Sequence, residues 1–146
     1  MSDEPLKRKV LIEKTLSVPA ISEEELEEYL ESVGGLVSGY RTDAPPIVSA
    51  GYFGVGEGWY GIIKKLIEDA IEAGWNKEIC QVKEKFGGLR FYINGATEEV
   101  HEIISKYCTL SHRTCEDCGE PGESRSGGWI RTLCDHHAER QESRMA

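Results

Sequence analysis

The chain has 146 residues, 39% of them hydrophobic, enough to bury one sizeable core but with little room left for a multi-step enzyme. Its 26 Asp and Glu outnumber 17 Lys and Arg for a formal charge of -9, and such a field repels a phosphate backbone and disfavours non-specific nucleic-acid binding. No stretch approaches the roughly 18 apolar residues of a membrane-spanning helix, and the short apolar run after Lys7-Arg8-Lys9 does not make a signal peptide, so a cytoplasmic protein without membrane association is expected.

From the N-terminus, Val10, Ile12 and Leu16 among charged residues predict a strand over 8–16. Ser22 followed by Glu25 is a capping box, Leu26, Tyr29, Leu30 and Val33 recur at helical spacing, and Gly34-Gly35 is a stop, so a helix is expected over 23–33. Its glutamates read as a solvated outer face. Residues 34–58 hold many glycines and Pro45-Pro46, which predicts a loop with a short strand around Ile47 and Val48. The glycine run from Gly51 to Gly58 has no Gly-Lys-Ser/Thr after it, so it reads as a turn into the next helix and not as a phosphate loop. Trp59, Ile62, Ile63, Leu66, Ile67, Ala70 and Ile71 then form one apolar stripe that Gly74 ends.

Residues 80–93 alternate like strands on either side of Gly87-Gly88, which predicts a hairpin turning on the two glycines. That register sets Lys85 opposite Arg90 and Lys83 opposite Tyr92. Alternation places Val82, Glu84, Phe86, Leu89, Phe91 and Ile93 on one face and Lys83, Lys85, Arg90 and Tyr92 on the other. Like charges opposite one another on a sheet need a compensating anion. Neighbouring carboxylates could supply it, and so could a bound phosphate or carboxylate, with Arg90 bidentate and Tyr92 or Trp59 stacking on a ring.

Thr97 is placed to cap a third helix whose buried face is Val100, Ile103, Ile104 and Tyr107. Beyond it, Cys115-x2-Cys118-x15-Cys134-x2-His137 offers four donors in two pairs, the spacing of a structural zinc ion closed to solvent. Gly119 suits the turn of a zinc knuckle, Trp129–Leu133 reads as a strand, and Cys134 opens a helix. His136 is the rival to His137 as fourth ligand, although a Cys-x2-His pair on a helical turn converges better. Cys80 and Cys108 remain as small core residues. No catalytic residues can be named: the Asp135-His136 pair lacks the further base and ligands of a metal-dependent nuclease. The expected fold is α+β, a small antiparallel sheet with three helices over 1–110, followed by a treble-clef-like zinc module over 111–146.

Val82-Lys83-Glu84-Lys85-Phe86-Gly87-Gly88-Leu89-Arg90-Phe91-Tyr92, Cys115-Glu116-Asp117-Cys118-Gly119 and Gly128-Trp129-Ile130-Arg131-Thr132-Leu133-Cys134 together resemble a family of small bacteriophage proteins, over roughly the last 90 residues. The resemblance implies origin more than activity, and with it the cytoplasm of a bacterial host. By analogy with that setting, the expected function is a non-enzymatic, zinc-containing accessory protein. It would act against host defence by sequestering a small anionic nucleotide through Lys83, Lys85, Arg90, Tyr92 and Trp59. The alternatives are a module that covers a host protein, or a nucleic-acid-binding factor using Lys83, Lys85, Arg90, Arg125 or Arg131.

Overall fold

The computed structural model describes residues 18–145 apart from 42 and 127, so the strand expected over 8–16 lies outside the described residues. It is an α+β structure of four helices and three two-stranded sheets. Helix α1 (Glu23–Ser32) begins where the Ser22 hydroxyl accepts the Glu25 amide, and three glutamates occupy its positive end. It buries Leu26 and Leu30. Strand β1 (Val37–Ser38) follows, and two short 3-10 turns, Ala50–Tyr52 and Glu57–Trp59, lead into α2 (Tyr60–Glu72). The expected strand at Ile47 is a single bridge to Leu36.

Helix α2 is the centre of the core. Ile62, Ile63, Leu66, Ile67 and Ala70 are fully enclosed, and Gly74 ends the element in the left-handed region at φ 99°. Strand β2 (Glu78–Ile79) pairs with β1 in parallel, so the expectation of purely antiparallel pairing is corrected. The chain passes from β1 to β2 through α2, the helical crossover that a parallel pair requires. Strands β3 (Gln81–Lys85) and β4 (Gly88–Tyr92) form the hairpin, and α3 (Glu98–Ser111) starts where the Thr97 hydroxyl accepts the Val100 amide. Val100, Ile104 and Tyr107 complete the core, and the Tyr107 hydroxyl reaches the Asp69 carboxylate of α2 at 2.5 Å.

The hairpin register differs from the expectation. Its pairs are Lys85 with Gly88, Glu84 with Leu89, Lys83 with Arg90, Val82 with Phe91 and Gln81 with Tyr92. Phe86 and Gly87 are therefore the turn, both at positive φ (53° and 80°), as a turn matching the right-handed strand twist demands. The partners change but the faces do not: each β4 residue moves by two along β3, a full side-chain period. Phe86 leaves the expected core face for the tip, where it is 65% exposed.

The C-terminal segment consists of a turn at Cys115–Gly119, a hairpin of β5 (Glu123–Arg125) and β6 (Arg131–Leu133), and α4 (Asp135–Met145). Its β6 strand is shorter than expected, with Trp129 outside it and 62% exposed. Among the described residues its own buried cluster is only Cys115, Leu133 and Ala138, with Cys118 and Cys134 against them.

Candidate metal centre and hairpin face

The ligand atoms of Cys115, Cys118, Cys134 and His137 all lie within 4.8 Å of one another. Each half of the set is delivered by local backbone chemistry. In the first, Gly119 adopts φ 83° and its amide returns to the Cys115 carbonyl at 2.9 Å, folding the Cys-x2-Cys stretch into a knuckle. In the second, Cys134 closes β6 and the Ala138 amide bonds its carbonyl at 2.9 Å, so the first turn of α4 swings His137 back toward it. The Cys118 and Cys134 sulfurs are 3.7 Å apart, and His137 Nδ1 lies 3.2 Å from the Cys134 sulfur and 3.7 Å from that of Cys115. A tetrahedron with a centre about 2.3 Å from each sulfur has edges on the order of 3.8 Å, so the donor set is spaced for one four-coordinate cation. His136 is exposed, stands outside the cluster and meets the His137 ring at a near-perpendicular angle.

The thiols are not equivalent. Burial tends to raise Cys134, but the His137 backbone amide and ring more than offset it and lower the thiol to about 7. Cys118 is pushed the other way, by burial first and then by hydrogen bonds with Cys115 and Cys134. A divalent cation held by Cys115, Cys118, Cys134 and His137 would remove this competition by keeping all three sulfurs as thiolates.

The knuckle is fastened to the body by the glycine run that the sequence reading treated as a plain turn. The Gly58 amide donates to the Glu116 carbonyl at 2.8 Å, and the Gly56 amide to the Glu116 carboxylate at 2.9 Å. A Cβ on Gly58 would overlap the Cys115 carbonyl, so only glycine lets the two backbones meet. Glu116 is 6% exposed; burial raises its carboxyl, opposed by the Gly56 amide and by Arg131 at 3.6 Å. Trp59 is fully buried beside this junction and donates its indole N–H to the Thr114 carbonyl at 2.8 Å. Its place among the expected ligand-stacking residues is therefore corrected: the ring is core, closed to any ligand on the hairpin.

Lys83, Lys85, Arg90 and Tyr92 do share one face of the hairpin, with Gln81 beside them. Lys83 stands directly opposite Arg90, and neither has a salt-bridge partner among the described residues. Lys85 rests 5.7 Å from the Phe86 ring centroid, and Tyr92 is 44% exposed. Arg125 and Arg131, the other cations of the nucleic-acid alternative, are engaged within the C-terminal segment. Arg125 binds Asp135 at 2.8 Å and the Leu133 carbonyl, and Arg131 binds Asp117 at 2.7 Å.

Sequence reasoning missed His112. A Cβ on Gly88 would fall on the His112 ring, closer to its Nε2 than van der Waals contact allows. Gly88 belongs to the same strand face as Arg90 and Tyr92, so the imidazole lies over the basic face. The adjacent glycines thus have separate reasons, positive φ at 87 and a ring at 88. Cys108, one turn earlier on α3, is also near: burial raises its thiol while Arg90 and a backbone bond at Phe91 lower it.

No family model, no curated protein and no solved structure matches the chain. No helix among the described residues is long and apolar enough to cross a membrane.

Proposed function

We propose that this chain is a non-enzymatic binding protein of bacteriophage type, held rigid by a structural zinc ion in a treble-clef-like module, that takes a small nucleotide anion on the outer face of β3–β4. The observation that carries the reading is the Lys83–Arg90 pair. Two cations opposite each other on a sheet face repel, and no carboxylate among the described residues lies within ion-pair distance of either. A phosphate between them would relieve the repulsion, with Arg90 bidentate and Tyr92 offering a ring to a base. Three thiolates and an imidazole with no donor position left for water suit zinc in a structural role. Sequestration of a host signal would follow from tight binding without turnover.

Native mass spectrometry of the protein purified from cells, before and after exposure to an extract of infected bacteria, tests this. The expected spectrum carries one zinc and a nucleotide-mass adduct that disappears in Lys83→Glu and Arg90→Glu, both of which keep the parent's melting temperature. A metal-loaded protein with no small adduct after the extract would overturn the sequestering reading. A second reading, a cover for a host protein, is favoured by Phe86 and Trp129, 65% and 62% exposed. Phe86 stands at the hairpin tip, where the Thr132 hydroxyl donates to the Gly87 carbonyl at 2.6 Å, and Trp129 packs on the Arg131 guanidinium. A stoichiometric host protein captured by the parent and lost in Trp129→Ala would establish it in place of the first.

A further inference from the structure

We propose that His112 is a ligand-contacting member of the hairpin's anion face, donating a ring N–H to a nucleotide phosphodiester. The inference rests on the reading of that face as a nucleotide site. The argument begins with Gly88. Hydrogen bonding requires nothing of a side chain there, yet any Cβ would collide with the His112 ring, and Gly88 is buried although it lies on the otherwise open face. The imidazole is what covers it. His112 is itself exposed, being the residue that caps the C-terminal end of α3. That end is fixed against β4: the Leu89 amide donates to the Ser111 hydroxyl at 2.9 Å, and that hydroxyl donates to the Cys108 carbonyl at 2.5 Å. The ring is therefore held beside the strand by its neighbour in sequence and is not a free surface side chain.

The charged and titratable groups around it are of one kind. Lys85 pairs with Gly88 from β3, Arg90 is two residues along β4 on the same face, and Arg113 follows it in the chain. Cys108 lies one turn back on α3, next to Arg90. The acid of the hairpin, Glu84, is on the opposite face, where its carboxylate accepts the Gly87 amide at 2.8 Å. Through Gly87 the tip meets Thr132 and the backbone of Arg131, whose side chain is turned to Asp117. No carboxylate among the described residues forms an ion pair with His112, and its ring offers one more donor beside Lys85 and Arg90. An anion at the edge of the ring, reaching toward Lys85 and Arg90, would accept from all three. A ligand that brings negative charge would offset the repulsion among these cations, and an imidazole has a ring N–H to donate to it.

The test uses full-length, zinc-loaded protein and a cyclic dinucleotide. Calorimetric titration is expected to give roughly tenfold weaker binding to His112→Ala than to the parent, the size of one charge-assisted hydrogen bond. Gly88→Ala, which displaces the ring while leaving an imidazole in the chain, weakens binding as well, and Arg90→Glu removes it. If Arg90→Glu abolishes binding but the parent and His112→Ala bind equally, His112 is not a contact and the hairpin reading survives without it. If the probe does not bind, or binds equally to Arg90→Glu, the hairpin reading fails and this inference with it.

Discussion

The body and the C-terminal segment reach stability by different means. The body buries a continuous apolar cluster from α1, α2, α3 and the inner hairpin face, with Trp59, Leu66, Ile67, Leu89 and Val100 at or below 1% exposure. The segment after Ser111 buries Leu133 and Ala138 beside its cysteines and little other apolar surface among the described residues. It substitutes a four-donor cluster and a set of hydrogen bonds to the body for apolar area. At about 25 cal/mol per Å² of buried apolar surface, so small a cluster cannot offset the ordering of some thirty residues. A cation held by the four donors would therefore be a fold determinant for one region only.

The largest expected effect breaks the comparison at its root. Cys118→Ser removes one donor and with it most of the roughly 10–16 kcal/mol that structural zinc sites supply. Elemental analysis should find the metal lost, and hydrogen exchange should find the amides of 115–138 unprotected while those of α2 stay protected. Loss of protection in both regions together would mean that they fold as one unit. Next comes a pair of tryptophans. Trp59→Ala empties a core position and strands the Thr114 carbonyl, at about 3–5 kcal/mol, whereas Trp129→Ala changes stability by no more than about 0.5 kcal/mol. Denaturant titration separates the two; equal costs would place Trp129 in the core as well.

Gly58→Ala sharpens the comparison by wedging the regions apart. The added methyl meets the backbone of Cys115 and Glu116 and overpacks the junction by about 1–3 kcal/mol without replacing a donor side chain. Competition with a colorimetric chelator should show weaker metal retention, because the knuckle loses its seat. The smallest effect belongs to the body. Tyr107→Phe loses the bond to Asp69, at about 1–2 kcal/mol. Burial, then that bond and the Asp69 charge, hold the folded Tyr107 phenol above its ordinary range, and Tyr29 is raised to about 12, again mainly by burial. The unfolded phenol ionises near about pH 10. The native state therefore keeps protons that the unfolded chain releases, and stability is full below that pH and falls as pH rises above it. Melting temperatures should decline through this alkaline window in the parent and less steeply in Tyr107→Phe.

Much of this was legible in the sequence because it is local. Helical periodicity and the Ser22 and Thr97 caps located α1 and α3, and an apolar stripe closed by Gly74 located α2, since each depends on residues within a turn or two. Two donor pairs at fixed spacing identified Cys115, Cys118, Cys134 and His137, because the knuckle and the helix start are short-range structures. Strand alternation gave the hairpin faces correctly for every residue but Phe86 even with the wrong turn, since faces follow from a period of two and not from the partner.

What the chain could not reveal by itself are the contacts between residues far apart in it. Gly87-Gly88 looks like a turn until the His112 ring is found over Gly88, and only then does Phe86 become a turn residue. Gly56 and Gly58 look like loop until the Glu116 backbone and carboxylate arrive, some 60 positions later. Trp59 looked equally suited to a ligand or a core until its indole met the Thr114 carbonyl. Propensity, capping and ligand spacing are properties of neighbouring residues and are written in the order of the chain. Which glycine must stay bare, which ring is enclosed and which cation is left without an acid depend on the atoms that tertiary packing brings alongside, and there the three-dimensional arrangement alone decides.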